Sequence, residues 1–134
     1  MKQNSNDSAS SCFACGTDNL RGLHLQFRLR EDEGMVAEWT PDSDLEGYPG
    51  IVHGGIVSTV LDEAMAKVVA AKEGKALTAE IRVRFRRQVP SGQVAHIRGW
   101  IESQNKRMII AEAELTAQDG TELAHAWGTF LRPR

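Results

Sequence analysis

The chain has 134 residues and a formal net charge of −2 at pH 7, and 41% of its residues are hydrophobic. This length predicts a single domain, and the near-neutral charge excludes the bulk attraction to nucleic acid that strongly basic proteins show. No stretch is apolar enough to predict a membrane span or a signal peptide, so we expect a cytoplasmic protein without membrane contact.

The N-terminal part combines a polar segment with a pair of cysteines. Residues 1–11 are rich in Ser and Asn, which predicts disorder ahead of one domain over residues 12–134. Cys12 and Cys15 are the only cysteines. Tetrahedral zinc needs four ligands, so a metal site here would require His24 or a partner chain. We expect no metal site, and two reduced thiols packed in a turn.

Alternating polar and apolar residues predict strands on both sides of one helix. Alternation from Leu23 to Arg30 predicts the first strand, and residues 35–40 predict the second. Four further strands are predicted over residues 78–88, 94–104, 108–117 and 121–131. The order β-β-α-β-β-β-β predicts an α+β domain in which one mainly antiparallel sheet packs on one buried helix.

The predicted helix follows a glycine-rich loop and ends at Gly74. Apolar residues recur in it at spacings of three and four, which predicts one long buried stripe. These residues are Val57, Val60, Leu61, Ala64, Met65 and Val68.

Two features of this helix indicate chemistry. Gly54 and Gly55 at its start carry no side chains, so the unpaired N–H groups of the first turn can approach a ligand oxygen, as in an oxyanion hole. Further along, Glu63 has Lys67 four residues on, which predicts an ordinary surface ion pair. Asp62 has only small and apolar helical neighbours, so we expect its pKa to be raised. The alternative for Asp62 is a solvated carboxylate or one hydrogen-bonded to a nearby hydroxyl.

Gly54 and Asp62 are too far apart to act on one carbonyl group within a single chain. Eight residues of helix separate them by about 12 Å. If both act together, Asp62 must come from a second copy of the helix lying antiparallel to the first. We therefore expect a site at a dimer interface.

The sequence around the helix start resembles a known family. Leu45-Glu46-Gly47-Tyr48-Pro49-Gly50-Ile51-Val52-His53-Gly54-Gly55, continuing to Leu61-Asp62-Glu63-Ala64, is similar to the hotdog-fold acyl-CoA thioesterases of the phenylacetyl-CoA thioesterase type. The lead-in Cys12-Phe13-Ala14-Cys15-Gly16 and the strand Thr78-Ala79-Glu80-Ile81-Arg82-Val83-Arg84-Phe85 extend the resemblance to about residues 12–131.

The resemblance implies a hotdog fold, in which a six-stranded antiparallel sheet wraps one long helix and two subunits join their sheets edge to edge. It also implies roles for particular residues. The Gly54 N–H, with Gly55 as a second donor, would polarise the thioester carbonyl. Asp62 of the partner subunit would act as general base or nucleophile, and Thr78 would help to hold the attacking water. His53 would orient the loop or bond the substrate; alternatively, it caps its own helix. For Thr78 the alternative is an ordinary strand residue.

One position departs from the family pattern. Relatives commonly carry Asn or Gln where this chain has Glu46. An ionised carboxylate accepts hydrogen bonds but donates none, so it does not replace both functions of an amide. Glu46 is therefore either a second acid/base group or a residue outside the site.

Basic residues offer contacts for the phosphates of CoA, which we expect as part of the substrate and not as a separate cofactor. The alternative is a solvated sheet face balanced by acidic residues. The candidates are Arg82, Arg84, Arg86, Arg87, Lys106 and Arg107.

The sequence thus predicts hydrolysis of a small aliphatic or aromatic acyl-CoA by a homodimer, with a tetramer as the further option. Two other functions remain open: a non-catalytic acyl-CoA-binding protein, and a hotdog hydratase or dehydratase.

Overall fold

The computed structural model describes residues 10–134. Residues 1–9, which make up most of the segment predicted to be disordered, lie outside the described residues. Ser10 and Ser11 are the last two residues of that segment, and both lie within the described residues. The carbonyl of Ser10 accepts from the Asp18 N–H at 2.7 Å, and that of Ser11 from the Asn19 side chain at 3.2 Å. Both residues are part of an N-terminal turn.

Within residues 10–134, six strands and one long helix form the domain. In chain order they are β1 (Arg28–Arg30), β2 (Gly34–Trp39), a single 3₁₀ turn (Ser43–Leu45), α1 (Gly54–Glu73), β3 (Leu77–Phe85), β4 (Ala95–Gln104), β5 (Met108–Ala117) and β6 (Glu122–Leu131). The strands lie side by side in the order β1-β2-β4-β5-β6-β3, and every neighbouring pair is antiparallel. The sheet packs on α1, which confirms the predicted hotdog fold.

The first strand is shorter than predicted. Leu25 is buried, as the alternation predicts, but residues 23–27 pair with no strand in the described part of the chain. Instead, the N–H groups of Leu23 and Leu25 donate to the carbonyls of Phe13 and Ala14, at 2.6 and 2.8 Å. His24 has a left-handed φ of 55°, which breaks the extended conformation. The N-terminal turn therefore uses the hydrogen bonds that a longer β1 would need.

Helix α1 has the predicted buried stripe. Its buried residues are Val57, Val60, Leu61, Ala64, Met65, Val68 and Val69. The helix ends at Gly74, as predicted, where a φ of 84° favours glycine. Within residues 10–134, no helix has both the length and the apolar composition needed to cross a lipid bilayer.

The helix and the sheet approach closely at a glycine on β4. A Cβ added to Gly99 would lie 2.6 Å from the carbonyl oxygen of Ala64, well inside contact distance. Since the absence of a side chain at this position lets the backbones of α1 and β4 approach, Gly99 sets their spacing.

Strand β3 is an edge strand with an irregular register. It pairs with β6, and an extra residue near Ala79 shifts the register between Thr78 and Glu80. The other edge of β3 has no strand partner within the described part of the chain. Leu77 and Phe85, at the two ends of β3, have 64% and 53% of their surface exposed. An open edge carrying exposed apolar side chains is typical of a strand that pairs with another chain.

Candidate active site

Asp62 and Thr78 meet where α1 passes the start of β3. The Thr78 hydroxyl donates to the Asp62 carboxylate, with Oγ1 and Oδ1 at 2.9 Å. The register shift at Ala79 aligns Thr78 with the buried Phe130 of β6, so its hydroxyl is on the helix side of the sheet. The structure thus joins two of the predicted site residues.

The pKa of Asp62 is raised above its ordinary value, the direction that its sequence neighbours predict. Burial of the carboxylate is the largest cause, and the negative charge of Glu63 adds to it. The hydrogen bond from Thr78 acts in the opposite direction by stabilising the ionised form. A carboxylate with a raised pKa is a stronger base than an ordinary exposed one.

His53 caps the helix by binding the N–H of Gly55, and the N–H of Gly54 remains available to a ligand. The Nδ1 atom of His53 accepts from the Gly55 N–H at 2.9 Å, which places His53 at the N-cap position. Its carbonyl accepts from Ile56 and Val57 at 3.0 and 3.1 Å. Among the described residues, no acceptor lies within bonding distance of the Gly54 N–H. The predicted second donor, Gly55, is therefore occupied within the helix cap.

A cleft of about 330 Å³ lies beside Gly54. Val57 and Phe85 form part of its apolar wall, and Arg86 and Arg87 lie at its polar rim. The ring of Phe85 lies 3.6 Å from the position that a Cβ on Gly54 would occupy. The sequence does not indicate Phe85 as a site residue, because its pattern identifies it only as part of a strand. Its position beside the helix start depends on how β3 pairs with β6.

Glu46 lines a different cleft, of about 400 Å³, together with His53 and Gly55. Its carboxylate accepts from the Ser91 hydroxyl at 2.5 Å, and its backbone bridges to Val52. These contacts hold the loop that leads into α1. The structure therefore gives Glu46 a structural partner, Ser91, that the sequence pattern does not indicate.

The six basic residues predicted to bind CoA do not form one patch. Arg86 pairs with Glu122 at 2.7 Å beside the Gly54 cleft. Arg82 lies on the other face of the sheet, 4.3 Å above the ring of Trp127. Arg84 stands opposite His125 on β6. Lys106 and Arg107 form the exposed turn between β4 and β5.

The predicted ion pair between Glu63 and Lys67 is wrong. Within the described residues, no contact of 4.0 Å or less joins their charged groups, and Glu63 instead accepts a hydrogen bond from the thiol of Cys15. The N-terminal turn brings Cys15 to the helix from 48 positions away in the sequence. Helical spacing gives no signal for such a contact.

Comparison with known proteins decides the family. The sequence model described as "Thioesterase superfamily" matches residues 49–124, which is more than half of the chain. The chain belongs to the thioesterase superfamily. Both Gly54 and Asp62 fall within the matched segment, and so does Thr78.

Related sequences agree with membership of the thioesterase superfamily. The acyl-coenzyme A thioesterase THEM4 of Xenopus laevis is 26% identical over 114 residues, covering 85% of this chain and 51% of that protein. This chain thus spans about half the length of the relative. The counterpart from Bos taurus is 25% identical over 86% of this chain and 48% of its own length.

Solved structures share the fold. The BH2602 protein of Bacillus halodurans, crystallised with CoA, superimposes with a TM-score of 0.73 at 26% identity, covering 84% of this chain and 77% of that one. The PaaI protein from the phenylacetic acid degradation operon of E. coli has a TM-score of 0.76 at 18% identity, with 82% and 84% covered. The resemblance to hotdog-fold thioesterases is confirmed.

Proposed function

We propose that this protein is a homodimeric acyl-CoA thioesterase that hydrolyses a small aliphatic or aromatic acyl-CoA to the free acid and CoA. The observation that carries the proposal is the Asp62–Thr78 pair, a half-buried carboxylate of raised pKa held by a hydroxyl. The free N–H of Gly54 supplies the second catalytic element. The acyl-CoA thioesterase relatives and the CoA-bound structure of BH2602 support the substrate class.

The dimer is required because α1 separates Gly54 from Asp62 by about 12 Å. If two β3 edges pair in antiparallel fashion, centred on Arg82, Gly54 of one subunit comes close to Asp62 of the other. In that register Glu80 lies opposite the partner subunit's Arg84, so opposite charges meet twice. Thr78 then lies opposite the partner subunit's Phe85, because the extra residue at Ala79 restores the alternation. Since Phe85 adjoins Gly54 and Thr78 adjoins Asp62, each helix start faces the other subunit's carboxylate.

In this site the thioester carbonyl oxygen accepts the Gly54 N–H of one subunit. Asp62 of the other subunit takes a proton from water as the water oxygen bonds to the carbonyl carbon, and Gly54 stabilises the resulting oxyanion. Collapse of the tetrahedral intermediate breaks the C–S bond, and the proton passes from Asp62 to the departing sulfur. Direct attack by the Asp62 carboxylate, with later hydrolysis of the anhydride, uses the same geometry.

The basic residues fit a CoA moiety that crosses the subunit boundary. Arg86 and Arg87 lie at the Phe85 end of β3. The turn with Lys106 and Arg107 lies at the Leu77 end, two strand spacings or about 10 Å away across β6. In the proposed dimer these ends come together, so phosphates meet cations from both chains.

Thiol release from a panel of aliphatic and aromatic CoA esters, measured for the wild type and Asp62→Asn, tests the proposal. We expect turnover to fall by at least about a hundredfold in the variant while the fold and the assembly persist, because a base or nucleophile is lost. Asp32→Asn, in the exposed turn between β1 and β2, is the matched control and should keep full turnover. Equal rates for wild type and Asp62→Asn would remove Asp62 from the mechanism.

Mixed subunits test whether each site uses both chains. Gly54→Pro removes the donor N–H, and proline is tolerated at the first helical position, particularly because His53 has an extended ψ of 135°. When Gly54→Pro and Asp62→Asn chains, each inactive alone, are refolded in equal amounts, half of the dimers have one intact site. About a quarter of wild-type activity should return. No recovery, with mixed dimers verified by mass, would contradict the shared site.

The same assays separate the other functions. Tight acyl-CoA binding without thiol release across the panel would identify a binding protein. Consumption of an enoyl-CoA without thiol release would identify a hydratase.

A further inference from the structure

A second cluster of reactive side chains lies outside the Asp62 site. The sulfurs of Cys12 and Cys15 and a carboxylate oxygen of Glu63 all lie within 4.8 Å of one another. All three residues are half-buried, and the structure has both cysteines as free thiols. The cluster joins the N-terminal turn to the side of α1.

The turn that carries the cysteines is held in place independently of the cluster. The Gly16 N–H donates to the Cys12 carbonyl at 2.8 Å, which closes the turn around Cys-x-x-Cys. Ala14, between the cysteines, is buried, and its carbonyl accepts from the Leu25 N–H at 2.8 Å. Both sulfurs are therefore presented towards α1 by a fixed backbone, so little conformational entropy would be lost on binding a ligand.

The three donors match the ligand chemistry of zinc. Zinc binds thiolates at about 2.3 Å and carboxylates at about 2.0–2.2 Å, so tetrahedral donors lie roughly 3.5–3.8 Å apart. Donors within 4.8 Å reach this spacing by small side-chain rotations. The Cys-x₂-Cys spacing is typical of zinc ligand pairs, and thiolates disfavour Mg²⁺ and Ca²⁺, which take oxygen ligands.

We propose that Cys12, Cys15 and Glu63 bind one zinc-type divalent cation, with water or another donor in the fourth position. His24, the third zinc ligand that the sequence offers, has a different contact, since its Nε2 lies 2.5 Å from the Asn19 carbonyl oxygen. Glu63 is the third ligand instead, supplied by the helix. The proposed site differs from the expectation that the cysteine pair binds no metal. It does not depend on the proposed thioesterase activity.

Zinc binding at this cluster has to compete with protonation of the thiols. Burial, followed by the hydrogen bond to Glu63 and its negative charge, raises the pKa of the Cys15 thiol to about 12. Lys67 lowers this pKa only in part. Zinc binds thiolates, so Zn²⁺ binding at this cluster should release protons from the thiols and weaken as the pH falls.

A comparable group on the sheet, Glu114, Glu122 and His125, is already neutralised by protein partners. His125 contacts Glu122 and Glu112 at 2.8 and 2.9 Å through its two ring nitrogens. Arg98 pairs with Glu114 at 3.0 Å. The partners Arg86, Arg98 and Glu112 lie outside this group and engage its donors. The Cys15–Glu63 hydrogen bond, by contrast, is made within its own cluster, and we propose no metal on the sheet.

Titration of the full chain with Zn²⁺ against a chromophoric chelator, under a phosphine reductant, tests the site. We expect one Zn²⁺ per chain. Cys12→Ser, Cys15→Ser and Glu63→Gln should each weaken binding by at least about tenfold, because each removes a ligand. Glu102→Gln removes one exposed carboxylate of β4 and should bind like the wild type. Wild-type affinity no higher than that of Cys15→Ser would overturn the proposal, and so would unchanged affinity in Glu63→Gln.

Substitution with Co²⁺ identifies the ligands directly. Thiolate coordination gives a sulfur-to-cobalt charge-transfer band in the near ultraviolet, which Cys12→Ser and Cys15→Ser should each weaken. Bound Zn²⁺ should also slow the reaction of both thiols with an aromatic disulfide reagent. A cobalt complex without the charge-transfer band, or thiols that react equally fast with and without Zn²⁺, would show that the cysteines do not bind the metal.

Discussion

At the scale of single residues, two adjacent carboxylates on α1 have different environments. Asp62 faces the proposed acyl-CoA site and accepts a hydrogen bond from Thr78. Glu63 faces the N-terminal turn and accepts a hydrogen bond from Cys15. The charge of Glu63 contributes to the raised pKa of Asp62. The direction of the Asp62 pKa shift could be predicted from its apolar helical neighbours. The contact with Cys15 could not, because it depends on a turn that is distant in sequence.

The hydrogen bond from Thr78 should set the pH dependence of hydrolysis. In the proposed mechanism Asp62 acts as the ionised carboxylate, so kcat/KM should fall as the pH drops through the pKa of Asp62. Thr78 lowers that pKa, and Thr78→Val should therefore move the acidic limb of the pH profile to higher pH. Activity should recover at pH values well above the limb. The control is Thr116→Val on β5, which should leave the profile unchanged. An acidic limb at the wild-type position in Thr78→Val would mean that this hydroxyl does not tune Asp62.

At the scale of elements, the helix and β4–β6 agree with the sequence because their signals are local. The apolar stripe, the glycine at the helix end and strict alternation fix each element without reference to its neighbours. The length of β1 was predicted wrongly because residues 23–27 bond to the N-terminal turn. The sequence also does not predict that the Gly55 N–H is occupied, because this hydrogen bond depends on the His53 side chain folding back onto the helix start.

The close approach of α1 and β4 gives a stability prediction. Gly99→Ala places a Cβ 2.6 Å from the Ala64 carbonyl, a backbone atom that moves only with the helix. We expect a loss of about 1–3 kcal/mol in the free energy of unfolding, as for other overpacked cores. Gly47→Ala is the control, because its Cβ would lie 3.4 Å from the nearest atom and should cost less than about 0.5 kcal/mol. Urea denaturation compares both with the wild type, and equal midpoints for Gly99→Ala and Gly47→Ala would contradict this account.

At the scale of the whole molecule, the proposed function requires a second copy of the chain. The open edge of β3 and its exposed end residues, Leu77 and Phe85, are where a second chain would add in the proposed dimer. The need for a dimer follows from helix geometry and could be argued from the sequence. The pairing register could not, since it depends on the extra residue at Ala79.

A cysteine placed on the proposed two-fold axis tests that register. In a Cys12→Ser, Cys15→Ser background, Arg82→Cys brings two thiols opposite each other in neighbouring strands, within the range of a disulfide. Mild oxidation should yield a covalent dimer on non-reducing gels. Glu80→Cys, which faces the partner subunit's residue 84 instead of its own copy, should remain largely monomeric. Cross-linking of Glu80→Cys in preference to Arg82→Cys would place the axis elsewhere.

The sheet order also determines when the Thr78–Asp62 pair can form during synthesis. Thr78 aligns with Phe130, which the ribosome adds about fifty residues later. When α1 and β3 emerge, both edges of β3 are therefore unpaired. Strand β3 can join the sheet only after β6, the last strand, has been synthesised. The Thr78 hydroxyl is thus one of the final groups to reach its position, so a nascent chain arrested before β6 would carry Asp62 without Thr78 beside it.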